Sequence, residues 1–201
     1  MTGTAIDFYF EFASPYGYLA STQIEDLGAR HGREIVWRPI MLGAAFKETG
    51  ARPLMQTPLK GSYLRRDVPR FARLLGVPFR EPPVMPANSL AASRAFVWLE
   101  TDDPQLAKRL AQTIFNAHWG AGRDIGAPEQ VAEIAAPLGI ERSALLAALA
   151  DPSIKDRLKQ ATAAAIERGV FGSPFIFVDG EPFWGADRLA QIDAWLTRGS
   201  W

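Results

Sequence analysis

The chain begins with a strand pattern. Ala5 to Phe12 (AIDFYFEF) interleaves aromatic and β-branched residues with acidic ones, which predicts a strand. At Ser14-Pro15 the pattern changes period. Pro15 suits a first helical position with Ser14 as its N-cap, and apolar residues at helical spacing continue through YGYLASTQIEDLGARHG to Gly32. Glu34 to Ile40 (EIVWRPI) predicts a second strand with Pro39 near its end. Strand, helix, strand in that order predicts a parallel pair with a right-handed crossover.

From Leu59 the spacing turns to threes and fours. LKGSYLRRDVPRFARLLG, NSLAASRAFVWLE, PQLAKRLAQTIFNAHWG, APEQVAEIAAPLG and ERSALLAALA each predict a helix bounded by Gly, Pro, Asp or Asn. Proline-containing loops at Arg52 to Pro58 and Val77 to Pro86 flank the first of them. A further helix starts at Asp151-Pro152 and runs to about Arg168. Ser173 to Val178 (SPFIFV) then predicts a strand, Asp179-Gly180 a tight hairpin turn, and Glu181 to Trp184 its partner. Gly185-Ala186-Asp187 leads into a last helix, RLAQIDAWL. The expected order is βαβ, many helices, then ββα.

Composition narrows the classes. The 201 residues are 48% hydrophobic, enough to bury a core, and 22 basic residues balance 22 acidic ones. That balance gives no net attraction to nucleic acid or to an anionic membrane. MTGTAIDFYF carries no basic segment followed by a long apolar run, and no later stretch reaches the roughly 20 apolar residues of a membrane span, so a cytoplasmic protein is expected. The chain has no cysteine, so disulfides and protein-borne thiol chemistry are excluded and any reactive sulfur must come from outside. His31 and His118 have no metal-ligand spacing, and no metal is expected.

The candidate chemistry sits at the two Ser-Pro steps. Ser14 reads first as a cap, and a hydrolase role lacks both the G-x-S-x-G elbow and a recognisable base. A serine at a helix N-terminus needs no base to donate a hydrogen bond to an anion. Pro174 is tolerated as the first residue of a strand; with a cis Ser173-Pro174 bond the backbone of Ser173 would face outward, free to pair with an extended ligand. Lys47, Lys60, Arg65 and Arg66 read as a solvated face or as partners of an anionic substrate.

Taken together, DFYFEFASPYGYL, FNAHWGAGRDI, AIERGVFGSPFIFVDGEPFWGADRL and the helical block between them resemble the 2-hydroxychromene-2-carboxylate isomerase family. That family is related to kappa-class glutathione transferases and to the DsbA-like thioredoxin fold, and the resemblance covers nearly the whole chain. It implies an α/β protein with a thioredoxin-like, glutathione-binding domain (1–41 and 152–201) and an inserted all-helical domain (42–151). Ser14 is implied to face the glutathione sulfur, where a redox relative carries its first cysteine. FGSPF matches the family's cis-proline loop, so that Ser173 and Pro174 serve the cysteinyl part. WGADR matches the γ-glutamyl site, with Trp184, Gly185, Ala186, Asp187 and Arg188; amides at the helix start meet the carboxylate, and Asp187 meets the ammonium. Lys47 and Asn88 fall at positions near the substrate. The loop after Thr49-Gly50, where the family carries an asparagine, reads ARPLMQTP here, with Arg52 in that neighbourhood.

The implied reaction converts a cyclic chromene carboxylate, in aromatic hydrocarbon catabolism, to trans-o-hydroxybenzylidenepyruvate, with glutathione acting as a catalyst. A homodimer is common among such relatives. A kappa-like glutathione transferase acting on electrophiles, and a non-catalytic module holding a peptide in the cis-proline groove, are the rival expectations. A thiol-disulfide oxidoreductase is excluded by the missing cysteines.

Overall fold

A computed structural model describes residues 4 to 199 and Trp201. Four strands form one sheet in the order β2-β1-β3-β4: β1 (Ile6–Phe10), β2 (Ile35–Pro39), β3 (Phe175–Val178) and β4 (Glu181–Trp184). β1 runs parallel to β2 and antiparallel to β3, and β4 closes the hairpin through Asp179 and Gly180, both at positive φ. This is the βαβ plus ββα sheet the sequence predicts.

Between β1 and β2 the expected single helix is two, α1 (Pro15–Ser21) and α2 (Ile24–Arg30). The break has a local cause. Ser21 Oγ donates to the Tyr18 carbonyl, while Thr22 Oγ1 and Gln23 Nε2 both donate to the Leu19 carbonyl. Side chains bonding back onto the last turn compete with helix continuation.

Between β2 and β3 come α3 (Leu42–Thr49), α4 (Lys60–Leu75), α5 (Leu90–Leu99), α6 (Pro104–Phe115), α7 (Pro128–Ala135), α8 (Arg142–Ala150) and α9 (Pro152–Glu167). The first was not expected, because LGAAFKET offers too few apolar residues to show a helical period. Asn116–Gly120 continues α6 as a π-helical turn, and α10 (Leu189–Arg198) follows a 3-10 turn at Ala186–Arg188 rather than starting at Arg188.

The two faces of the sheet bury different layers. Ile6, Phe8 and Phe10 point into a core shared with the helical block, where Phe10 meets the Phe96 ring edge-on at 5.2 Å and the Phe115 ring at 5.8 Å. Tyr9, Phe175 and Phe177 point the other way, against Ala165 of α9, Ile40 and Val170. Both layers close around the C-terminal end of β1. That is where the chain enters α1.

Candidate functional site

Ser14 sits at this junction, 8% exposed, with extended backbone (φ −95°, ψ 115°). Its Oγ accepts the Gly17 N–H at 3.0 Å, so the expected cap is real, and Pro15 fills the first helical position. The same hydroxyl donates its proton to the Ser173 carbonyl at 2.8 Å. The structure therefore brings the two serines of the sequence motifs together across 159 positions of chain.

The Ser173-Pro174 bond is cis. Ser173 is locked to the junction from its side chain too, since its Oγ accepts the Glu11 N–H at 2.9 Å while the Ser14 N–H bonds the Glu11 carbonyl at 2.9 Å. The packing is tight enough to select a residue type. A Cβ added at Gly17 would lie 2.8 Å from Ser173 Oγ and 3.2 Å from the Glu11 carbonyl oxygen, so only glycine fits beneath the loop.

WGADR lies beside the same loop. The Gly185 N–H donates to the Pro174 carbonyl at 3.1 Å, and Gly185 takes φ +116°, where a side chain would also collide with the Asp187 carboxylate. Ala186 is buried; Asp187 and Arg188 are exposed and face each other at 3.5 Å. Trp184 is 54% exposed and packs edge-on against Phe171 at 4.8 Å, its indole covering Gly172. It covers the loop preceding Ser173.

Two residues inside DFYFEFASPYGYL, neither assigned a role from the sequence, extend the site. Tyr16, half-buried on α1, donates its hydroxyl to Asp67 Oδ2 at 2.6 Å, and Tyr63 and Arg70 bond the same carboxylate. Burial, then the bond to Asp67 and the charges of Asp67 and Asp187, push the Tyr16 hydroxyl well above its ordinary pKa, so it stays neutral. Glu11 is 5% exposed. Its carboxylate accepts the Leu42 N–H at 3.1 Å and the Ala13 N–H at 3.4 Å, and the Ser89 side chain and the Phe12 amide are near enough to favour its charge. Burial outweighs these donors and raises its pKa. Both lie within DFYFEFASPYGYL, and the one hint to Glu11 in the sequence is an acidic residue near the end of an aromatic strand.

The expected substrate-side residues lie on the segments after β2. Lys47 is exposed on α3, Arg52 is exposed just beyond Gly50, and Asn88 is exposed before α5, where its Oδ1 accepts the Leu90 N–H at 3.1 Å. No hydrogen bond among the described residues joins them to Ser14 or Ser173. His118 and Trp119, in FNAHWGAGRDI, are fully buried in the π-helical turn. Trp119 Nε1 donates to the Phe12 carbonyl at 2.8 Å, tying the helical block to the junction. His118 Nδ1 donates to the Arg123 carbonyl at 2.8 Å, leaving Nε2 without a protein partner. No cluster of three His, Cys, Asp or Glu groups suited to a metal occurs among the described residues, and no helix is long and apolar enough to cross a membrane.

Known proteins with this arrangement agree among themselves. Residues 5–196 match the DSBA-like thioredoxin domain. A 2-hydroxychromene-2-carboxylate isomerase of Pseudomonas putida is 32% identical over 195 residues, spanning 96% of this chain and 94% of that protein. Human glutathione S-transferase kappa 1 is 24% identical, spanning 98% and 92%. A solved structure of a 2-hydroxychromene-2-carboxylate isomerase superimposes with a TM-score of 0.88 at 32% identity, covering 96% of this chain and 95% of that one. The sheet order, the Ser14 to Ser173 junction and these likenesses together establish that the chain belongs to the DSBA-like thioredoxin family and, within it, to the 2-hydroxychromene-2-carboxylate isomerases.

Proposed function

We propose that this protein is a glutathione-dependent isomerase that opens 2-hydroxychromene-2-carboxylate-type substrates to trans-o-hydroxybenzylidenepyruvate, a step in the breakdown of aromatic hydrocarbons. The observation that carries the reading is the Ser14 hydroxyl at the start of α1, bonded to the Ser173 carbonyl, in a chain without cysteine. A thioredoxin-type junction that holds a hydroxyl where sulfur chemistry belongs needs its sulfur from a ligand. Bound glutathione supplies a thiolate that adds reversibly to a conjugated double bond, which allows that bond to rotate.

The chain's own groups fit such a tripeptide. The Ser173 N–H has no bonding partner among the described residues, and the Ser173 carbonyl keeps a second lone pair. Both are main-chain groups able to pair with an extended ligand. Ala186 and Asp187 open the turn before α10, where backbone amides lack intrahelical partners, and the exposed Asp187 carboxylate suits an ammonium. Ser14 can serve two ends at once. Its cap uses a lone pair to accept from Gly17, so its proton can turn from Ser173 to a sulfur anion without loss of the cap. Lys47 and Arg52 supply positive charge for the substrate carboxylate, and Asn88 a further polar contact. In this reading residues 1–41 and 152–201 hold glutathione and residues 42–151 hold the substrate.

The test is incubation with glutathione and, separately, a chromene carboxylate and a nitroaromatic electrophile, following product and free thiol. Isomerisation with constant free thiol is expected. Loss of thiol with the electrophile and no isomerisation would make the protein a transferase like its kappa-class relatives. Failure to bind glutathione at millimolar concentration would remove the reading altogether.

A further inference from the structure

We propose that Glu11 is a positioning residue that couples the sulfur-facing junction to α3, the segment after β2 that carries Lys47. The inference rests on the proposed function for its kinetic consequence but on geometry for its content. Through its main chain Glu11 holds the cofactor side, its N–H donating to Ser173 Oγ and its carbonyl accepting the Ser14 N–H. Through its carboxylate it reaches the other side, accepting the Leu42 N–H at 3.1 Å with the Ser89 side chain close enough to favour its charge. Leu42 is the first residue of α3, which carries Lys47; Ser89 adjoins Asn88.

The helix ends show that the carboxylate is needed where it stands. Met41, the N-cap of α3, provides no side-chain cap, so the Glu11 carboxylate bonds the first amide of the helix from outside. Ser89, the N-cap of α5, provides none either, although serine is a preferred cap, and its side chain favours the charged form of Glu11. A turn satisfied locally by the Ala13 amide would not require the distant Leu42 partner. An eight-residue helix such as α3 has little stability of its own, so its placement depends on what fixes its ends.

Glu11→Gln keeps the shape but presents an NH2 to a site built from donors, and its amide oxygen cannot accept from both the local amides and Leu42. Ser89→Ala removes only the neighbouring hydroxyl and is the milder change. The expected result for Glu11→Gln is calorimetric glutathione affinity within about twofold of wild type, a KM for the chromene carboxylate raised tenfold or more, and amide hydrogen exchange at the start of α3 accelerated at least tenfold. Ser89→Ala should raise the same KM about threefold, again without change in glutathione affinity. Glutathione affinity falling in step with KM would mean general loosening, and unchanged exchange at Leu42 would mean that Glu11 does not hold α3. Either result overturns the proposal. If the wild-type protein fails to bind glutathione or to turn over the substrate, the functional reading fails, while the exchange measurement still decides the coupling.

Discussion

At the scale of single residues the site is a set of hydrogen bonds in which one hydroxyl both accepts and donates. The Ser14 hydroxyl caps α1 by accepting and binds Ser173 by donating, so the capping role and the chemical role use different parts of one group. A free thiol titrates near 8.5, so glutathione at neutral pH is mostly protonated unless its anion is stabilised. A hydroxyl bond to a charged partner is worth roughly 1.5 to 3 kcal/mol, or about one to two pKa units if it acts on the thiolate. Ser14→Ala should therefore raise the apparent pKa of bound glutathione and lower turnover about ten- to a hundredfold near neutral pH, with part of the loss recovered at higher pH. Ultraviolet thiolate absorbance against pH in both proteins checks this; superimposable curves would leave Ser14 a cap only. Asp187→Asn, in contrast, should raise the glutathione concentration needed for half-maximal rate and leave the saturating rate nearly unchanged, the mark of uniform binding lost. A collapse of the saturating rate would give Asp187 a chemical role.

At the scale of elements the helical block is fastened to the sheet at few polar points, and the π-helical turn Asn116–Gly120 supplies one. Trp119 is fully buried, and its indole N–H bonds the Phe12 carbonyl two residues before Ser14. Trp119→Phe removes the donor, strands that carbonyl and leaves a small void, costing about 1 to 3 kcal/mol. For a chain of this size that lowers Tm by roughly 2 to 12 °C, measurable by calorimetry. Elements of this kind also mark where sequence reading stops. Strands with aromatic alternation and helices with apolar spacing were legible because their burial imposes a period. α3 was not, since only Ala45 of its residues is buried and no period is imposed. The interruption after Ser21 was hidden because Ser, Thr and Gln continue a helical pattern in print while their side chains bond back onto it. The Ser-Pro steps were legible as a pair only through the family resemblance. Nothing in the letters brings Ser14 to Ser173, and Glu11 reads as one of two acidic residues in the strand pattern.

At the scale of the whole molecule, acid stability tests how the interior treats its charges. His118 is fully buried, and burial lowers its pKa despite the bond to the Arg123 carbonyl and the nearby Asp124. The unfolded chain takes up a proton near pH 6.5, whereas the folded one resists it, so the stability that the neutral imidazole permits is complete above about 6.5 and declines as pH falls toward the lower folded value. The decline is at most about 1.4 kcal/mol per pH unit for one proton. Asp7 adds a second, more acid step. Burial raises its pKa, but the bonds and charges of Arg168 and Arg38 outweigh that and hold it low, so its contribution is present above the ordinary aspartate value near 3.8 and is lost below it. Glu11 and Glu100 act in the opposite sense, because burial raises their pKa values and protonation relieves a buried charge as pH falls. A bare stability profile thus mixes terms of both signs, and a comparison that leaves the carboxylates in place isolates the histidine. His118→Gln is neutral throughout and keeps an N–H for the Arg123 carbonyl. Urea unfolding between pH 7 and pH 5 should show wild type losing about 1 to 2 kcal/mol more than this variant, with equal slopes above pH 7. Parallel profiles across the whole range would mean that His118 takes up its proton as readily in the folded protein as in the unfolded chain, with Nε2 bonded to an acceptor or a water within the helical block.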